Sequence, residues 1–222
     1  MYCFIPAAGY GKRMGDLTKE IPKPLLKIGS LTFLENTIEL VKSWGITKFV
    51  INTHYLANQF HAVVDKLEGV EIIISHEKQK ILGTAGGIKK AFSGLLSEDD
   101  YFICINPDII YKTNINIYKK YKNFNGKALL FLYEKNKDDH YTGLSLKNNM
   151  VKFDNGNFLY TGLSILKFSI LKAVPLDDYF DLADIFRDLA ENDNLIGEIF
   201  PGEYLDLGDS QKYYEYVKTI NH

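Results

Sequence analysis

Eight residues near the amino terminus, Pro6-Ala-Ala-Gly-Tyr-Gly-Lys-Arg13, carry the ingredients of an anion site. Gly9 and Gly11 let the backbone take positive φ and approach a ligand closely, so successive N–H groups can point at phosphate oxygens. Lys12 and Arg13 add charge, and the planar guanidinium fork suits a phosphate. Two familiar phosphate loops do not fit. Met14 stands where the GxGxxG dinucleotide fingerprint needs its third glycine, and no Gly-Lys-Ser/Thr follows as in a P-loop. Alone, the segment indicates phosphate without saying which, and a purely structural glycine turn stays open.

Further along, Lys23 sits between Pro22 and Pro24, which fix an extended backbone and hold the lysine in a narrow range of directions. A second glycine-rich stretch runs Leu82-Gly-Thr-Ala-Gly-Gly87, with Glu77 just upstream. Two aspartates follow short apolar runs, Asp108 in Asn106-Pro107-Asp108 and Asp206 in Tyr204-Leu-Asp-Leu-Gly-Asp209. Asp209 fits best as the N-cap of a closing helix. His54, His61, His76, His140 and His222 are scattered without HxH or HExxH spacing, and no GxSxG nucleophile motif is present. The 15 tyrosines and 14 phenylalanines show no spacing suited to base stacking and read as core.

Taken in order along the whole chain, Gly-x-Gly-x-Arg, Pro-Lys-Pro-Leu-Leu, Leu-Gly-Thr-Ala-Gly-Gly and the two aspartates resemble the signature of sugar-1-phosphate nucleotidyltransferases. The resemblance implies that Ala7, Ala8, Gly9, Gly11, Lys12 and Arg13 hold the triphosphate, with Arg13 and Lys23 as the catalytic cations. It places Gly83 and Thr84 against the base and its sugar, and makes Glu77 a candidate base contact. It makes Asp108 and Asp206 the ligands of a Mg²⁺ cofactor. Lys23, Asn106, Gly143, Thr161 and Gly162 fall at its sugar-phosphate elements. Three departures stand out: Pro107 replaces the usual glycine or serine, Tyr204 replaces a tryptophan, and Lys152-Phe153-Asp154 occupies the region of an absent Glu-Lys-Pro element.

The reaction so implied joins a nucleoside triphosphate to a sugar 1-phosphate and releases pyrophosphate. The length, the Thr53-His54-Tyr55-Leu56 segment and the missing Glu-Lys-Pro element look most like family members that use UTP and N-acetylmuramate 1-phosphate in cell-wall sugar recycling. Mannose- or heptose-1-phosphate guanylyltransferases and phosphocholine cytidylyltransferases are competing readings. A nucleotide sensor without turnover is the alternative of a different class.

The elements that must position these residues alternate. Apolar runs at 2–5, 48–52, 70–74 and 101–105 read as strands, with helical patterning around 32–44, 56–67 and 86–92 between them. Thr32 can cap the first helix and Gly45 can end it. Strand–helix alternation argues for a mostly parallel central sheet flanked by helices, similar to the glycosyltransferase-A type α/β fold that the resemblance implies. Past residue 108 the runs 128–133, 144–146, 150–153 and 158–166 suggest a β-rich sugar-binding insertion, with hairpin turns at 147–149 and 154–157. Helices follow at about 182–190 and after Asp209. The expectation is one domain over 1–222, with 1–108 the nucleotide-binding half and 109–222 the sugar-phosphate half. Ligands in such sheets bind at the carboxyl ends of the parallel strands, which collects segments 6–14, 53–55, 75–84 and 106–108 around one crevice.

Composition agrees with a folded globule, at 46% apolar and 24% charged residues over 222 positions. A net charge of -2 offers no electrostatic case for nucleic acid or an anionic membrane as partner. The amino terminus lacks signal-peptide character, no apolar run approaches bilayer length, and Cys3 and Cys104 read as reduced core thiols, so a cytoplasmic protein is expected. A monomer and a homodimer both remain open.

Overall fold

The computed structural model describes residues 1–136 and 141–220, so His140 and His222 lie outside the described residues. The chain opens with β1 (Tyr2–Pro6), which runs into the glycine loop and two 3-10 turns, Lys12–Thr18 and Lys23–Leu25. A small ribbon, β2 (Lys27–Ile28) and β3 (Leu31–Thr32), leads into α1 (Phe33–Ser43). Thr32 and Glu35 form a reciprocal capping box at its start, and Gly45, at φ +89°, turns the chain out of it. Then come β4 (Lys48–Thr53), α2 (Asn58–Val64), β5 (Glu71–His76), α3 (Gly83–Phe92) and β6 (Tyr101–Ile105).

The second half contains β7 (Ile109–Lys112), α4 (Ile117–Tyr121), β8 (Ala128–Glu134), β9 (Ser145–Lys147), β10 (Met150–Lys152) and β11 (Phe158–Lys167). It closes with α5 (Leu182–Glu191), β12 (Leu195–Ile199), β13 (Glu203–Asp206) and α6 (Ser210–Ile220). Asp209 caps α6 by accepting from Lys212 N at 3.0 Å.

Nine strands form one sheet in the order β5-β4-β1-β6-β11-β8-β12-β10-β9. The first four are mutually parallel, β11 runs against both its neighbours, and β8 and β12 pair in parallel again. The β-rich second half is therefore no separate layer. Strands β8 to β12 continue the same sheet, which becomes mixed beyond β6, while β7 and β13 pair as a separate antiparallel ribbon. Of the two expected hairpin turns, 147–149 closes β9 onto β10, with Asn148 and Asn149 both at positive φ as a tight two-residue turn requires. The turn at 154–157 joins β10 to β11, which are not neighbours, so it is a crossover rather than a hairpin.

Alternation along the strands sorts the core onto two faces. Cys3, Ile5, Phe49 and Ile51 pack with Leu34, Ile38 and Val41 of α1 and Phe60 of α2. Phe4, Val50, Phe102 and Cys104 pack on the other face with Ile88 and Phe92 of α3 and Phe186 and Leu189 of α5. A third, small cluster holds Met14, Ile110, Leu207 and Tyr213. Met14, the residue that breaks the dinucleotide fingerprint, thus anchors the glycine loop beside the strand end that carries Asp206.

Candidate functional site

The glycine loop leaves β1 where Ala7 N donates to Asn52 Oδ1 at the end of β4 (2.8 Å). Gly11 has φ +65°, and a Cβ there would stand 2.9 Å from Thr18 Cγ2 and 3.2 Å from Lys23 Cβ. Only glycine meets both demands, and the closeness presses the Pro22–Pro24 segment against the loop. Met14 N closes back on Gly11 O at 2.8 Å, and the Thr18 hydroxyl donates to the same carbonyl at 3.1 Å. The loop is therefore fastened from both sides, while Gly9 and Arg13 stay exposed and Lys12 is open to solvent beside them.

Lys23 follows Pro22, whose ψ of 139° aims it inward. Its ammonium donates to Asp108 Oδ2 at 2.5 Å and to Gly208 O at 2.8 Å, with the Lys23 and Asp108 side chains 12% and 18% exposed. Asp108 and Asp206 reach the same place because β7 and β13 pair antiparallel with Asp206 opposite Ile109, and Leu207 N donates to Asp108 O at 3.1 Å. Asp206 accepts from Gly208 N at 2.7 Å and from the Tyr141 hydroxyl, which in turn accepts from Arg13 Nη1 at 3.2 Å. A Cβ on Gly208 would meet Asp206 Oδ1 at 2.7 Å and both Arg13 Nη2 and Lys23 Nζ at 3.4 Å, so the two cations converge on that glycine. The bond to Tyr141, with the negative charges of Asp206 and Asp108 behind it, pushes the Arg13 pKa up. Burial, together with the bond to Asp206, raises the Tyr141 phenol to about 12, so it stays a neutral donor at ordinary pH.

Arg13, Lys23, Asp108 and Gly208 border a cleft of about 450 Å³. Of the residues singled out from the sequence, Ala7, Ala8, Gly9, Gly11, Lys12, Arg13, Lys23, Gly83, Thr84, Asn106 and Asp108 line it together. They come from the loops after β1 and β6, the turn at Lys23 and the start of α3, around the crevice that parallel-strand topology indicates. Gly83 suits its place at the α3 entry: it has φ +69°, and a Cβ would stand 2.5 Å from Phe180 O.

Five of the expected residues stand elsewhere. Glu77 is 1% exposed, and its carboxylate oxygens accept from Asn52 Nδ2 (2.7 Å) and Leu82 N (2.8 Å), so it faces the interior instead of a base. Thr161 is fully buried, its hydroxyl donating to Phe131 O at 2.8 Å, and it has no route to a sugar hydroxyl. Gly143 packs on the backbone of Asn155 and Gly156. Gly162 borders the site only through Asn106: it sits at φ +84° in an irregular stretch of β11, and its carbonyl accepts from Asn106 N at 3.0 Å. Asp206 stands beside the cleft, behind Gly208, and lines a neighbouring hollow.

Sequence reasoning missed Asn52, Gly208 and Tyr141. Asn52 and Gly208 each adjoin a segment already marked as a strand end, which is the signal that could have found them. Tyr141 carries none, because it reaches Arg13 and Asp206 only through folding.

Asp108 and Asp206 offer an all-oxygen donor set of two carboxylates, which suits a hard cation completed by water and substrate phosphates. Among the described residues no group of three or more His, Cys, Asp or Glu side chains could form a self-sufficient metal cage. Both cysteines are free and buried, and no helix among the described residues is long and apolar enough to cross a membrane.

Comparison with known proteins agrees with this fold. A probable mannose-1-phosphate guanylyltransferase of Oryza sativa subsp. japonica is 25% identical over 228 residues, which cover 96% of this chain and 63% of the rice protein. HddC from Yersinia pseudotuberculosis, solved with GMP-PN, superposes with a TM-score of 0.77 at 22% identity, covering 99% of each chain. A UDP-glucose pyrophosphorylase complexed with UDP-glucose gives 0.75 at 19% identity, over 99% of this chain and 98% of that one. These two superpositions speak for the fold. The family model described as Nucleotidyl transferase matches residues 3–222, a span that runs from β1 through the glycine loop to the closing aspartates, and the chain belongs to the nucleotidyl transferase family.

Proposed function

We propose that the cleft transfers a nucleoside monophosphate from a nucleoside triphosphate to a sugar 1-phosphate, with GTP and mannose 1-phosphate or a close analogue as the favoured pair. The observation that carries the reaction is Lys23 held between Asp108 and Gly208 beside Arg13: two cations and two carboxylates gathered at the mouth of a glycine loop. A sugar-phosphate oxygen attacks the α-phosphorus, the bond from that phosphorus to the β-phosphate oxygen breaks, and pyrophosphate leaves. The nucleophile is already an anion, so no general base is required. Catalysis then consists of alignment and charge neutralisation.

In this reading the N–H groups of the loop at Gly9 and Gly11, with Lys12 and Arg13, hold the β- and γ-phosphates. Lys23 faces the α-phosphate and the incoming sugar phosphate, with Asn106 at the edge of the same cleft. Asp108 and Asp206 hold Mg²⁺, which when bound supplies further neutralisation of the phosphates. The name of the rice relative supports the guanylyl assignment. Transfer from UTP to N-acetylmuramate 1-phosphate, suggested by the sequence around Thr53–Leu56, has less support.

Pyrophosphate release measured with Mg²⁺ across a panel of triphosphates and sugar 1-phosphates tests the proposal. Turnover highest with GTP and mannose 1-phosphate or its heptose analogue is the expected result. Turnover confined to UTP would restore the uridylyl reading, and tight triphosphate binding without turnover by any pair would turn the protein into a sensor.

A further inference from the structure

Glu77 takes no part in the chemistry above, yet its charged side chain is sealed in the interior directly behind the cleft. We propose that Glu77 is a positioning residue that locks the two walls of the nucleotide site together; the inference rests on the nucleotide-transfer reading. Its backbone N–H, donating to Thr53 O at 2.8 Å, carries the β4–β5 pairing one residue beyond the strand. From there a continuous relay crosses the site. Ala7 N donates to Asn52 Oδ1, Asn52 Nδ2 donates to Glu77 Oε1, and Leu82 N donates to Glu77 Oε2, at 2.8, 2.7 and 2.8 Å. One end of the relay is the start of the glycine loop, and the other is the residue before Gly83 and Thr84. Ala7 lines the cleft itself, and Leu82 is held between Ile81 and Gly83, which line it too.

Two further contacts converge on the same residue. A Cβ on Gly87 of α3 would stand 2.6 Å from Glu77 Oε1 and 2.7 Å from Asn52 Nδ2, so the helix is drawn onto the pair and glycine leaves it room. His54 Nδ1 lies 2.6 Å from Glu77 O, and Tyr10 of the glycine loop brings its hydroxyl 3.3 Å from His54 Nε2. With the proton on Nδ1, the ring donates to the carbonyl and accepts from the tyrosine, a second line from loop to Glu77.

A buried carboxylate is costly unless each oxygen finds a donor. Here one donor is the Asn52 amide, tied to the start of the glycine loop, and the other is the backbone N–H just before α3, so the groups that satisfy the charge also set the distance between loop and helix. Direction matters. Asn52 must keep its oxygen toward Ala7 N, so only an acceptor can face its amide.

The relay dictates its own test. Glu77→Gln sets an amide against the Asn52 amide, and Asn52→Asp sets a carboxylate against Glu77. The double variant reverses the central bond and satisfies every partner again. In it the new carboxylate at position 52 accepts from Ala7 N and from the new amide at position 77, whose oxygen accepts from Leu82 N. Calorimetric titration of the full chain with GTP and with UTP, in Mg²⁺, reads the outcome, with thermal melts alongside. Each single variant is expected to lose roughly 10-fold or more in affinity for the nucleotide that the wild type binds, the size of a lost charge-assisted hydrogen bond. The double variant should return to within about 3-fold of wild type, well under half of one such bond. Single variants that bind like wild type, or a folded double variant no better than the singles, would overturn the clamp and leave the nucleotide-transfer reading standing. Wild-type protein that binds neither triphosphate would overturn that reading and the clamp with it. Should a single variant fail to fold, the double variant decides alone.

Discussion

The Lys23 ammonium lies 2.5 Å from the Asp108 carboxylate, two residues 85 positions apart joined in a largely enclosed ion pair. Because the same ammonium also donates to Gly208 O, one side chain spans the ends of the two strands that carry the acidic pair. A pair this enclosed leaves an uncompensated charge when either partner is removed. Lys23→Met and Asp108→Asn should each lower pyrophosphate release by roughly 100-fold or more, the scale of removing one preorganised electrostatic group. The double variant should fall much less than the product of the two, since both act on one charge cluster. Steady-state rates of the three proteins check this. Asp108→Asn with full turnover would remove Asp108 from the metal assignment.

Tyr141 joins Arg13 to Asp206 through its hydroxyl, occupying groups that a triphosphate and a cation would need. Tyr141→Phe removes that competitor while keeping the ring. Affinity for the Mg²⁺ nucleotide should rise by roughly 2- to 10-fold, the worth of one ordinary hydrogen bond. Calorimetry reads the change, and a drop in affinity would instead place Tyr141 in the ligand shell.

Gly162 combines φ +84° with a side-chain-free contact on Asn106, where a Cβ would stand 2.6 Å from Asn106 Nδ2. Gly162→Ala therefore meets both backbone strain and a clash. It should cost about 1–3 kcal/mol of stability, read by urea melts, and should displace Asn106 from the cleft. A raised KM for the sugar 1-phosphate, larger than the change for the triphosphate, is the functional sign.

Burial raises both thiols, Cys104 to about 12 and Cys3 well above its ordinary 9.0, the latter helped by the proximity of Cys104. Between those values the folded chain keeps protons that the unfolded chain has released, so stability falls as pH rises from about 9. By pH 10 the loss from Cys104 alone should be about 1 kcal/mol, one unit above its ordinary value. Urea melts at pH 8, 9 and 10 should show this slope, and Cys104→Ala should make it shallower, leaving the part that Cys3 contributes. An unchanged slope would exclude the thiol as its source.

Much of this arrangement is readable from local chemistry. Thr32 with Glu35, Gly45, Asn148-Asn149 and Asp209 each do locally what their side chains dictate, as caps, a stop and a turn. The cleft lining is equally legible, since loops at the carboxyl ends of parallel strands must meet. Glu77 and Thr161 mislead for one reason. A polar residue near a glycine motif or on a site strand can point either way, and here both are hydrogen-bonded inside.

The amino-acid sequence by itself determined which segments carry the glycine loop, the paired prolines around Lys23 and the two strand-end aspartates, because glycine, proline and charge act through their immediate neighbours. Tertiary structure alone decided their partners: Lys23 to Asp108, Tyr141 to Asp206, Asn52 to Glu77. Those bonds join residues 85, 65 and 25 positions apart, and sheet order and the β7–β13 pairing create them. A side chain's type sets what it can bond, but only the packing of distant strands sets what it meets.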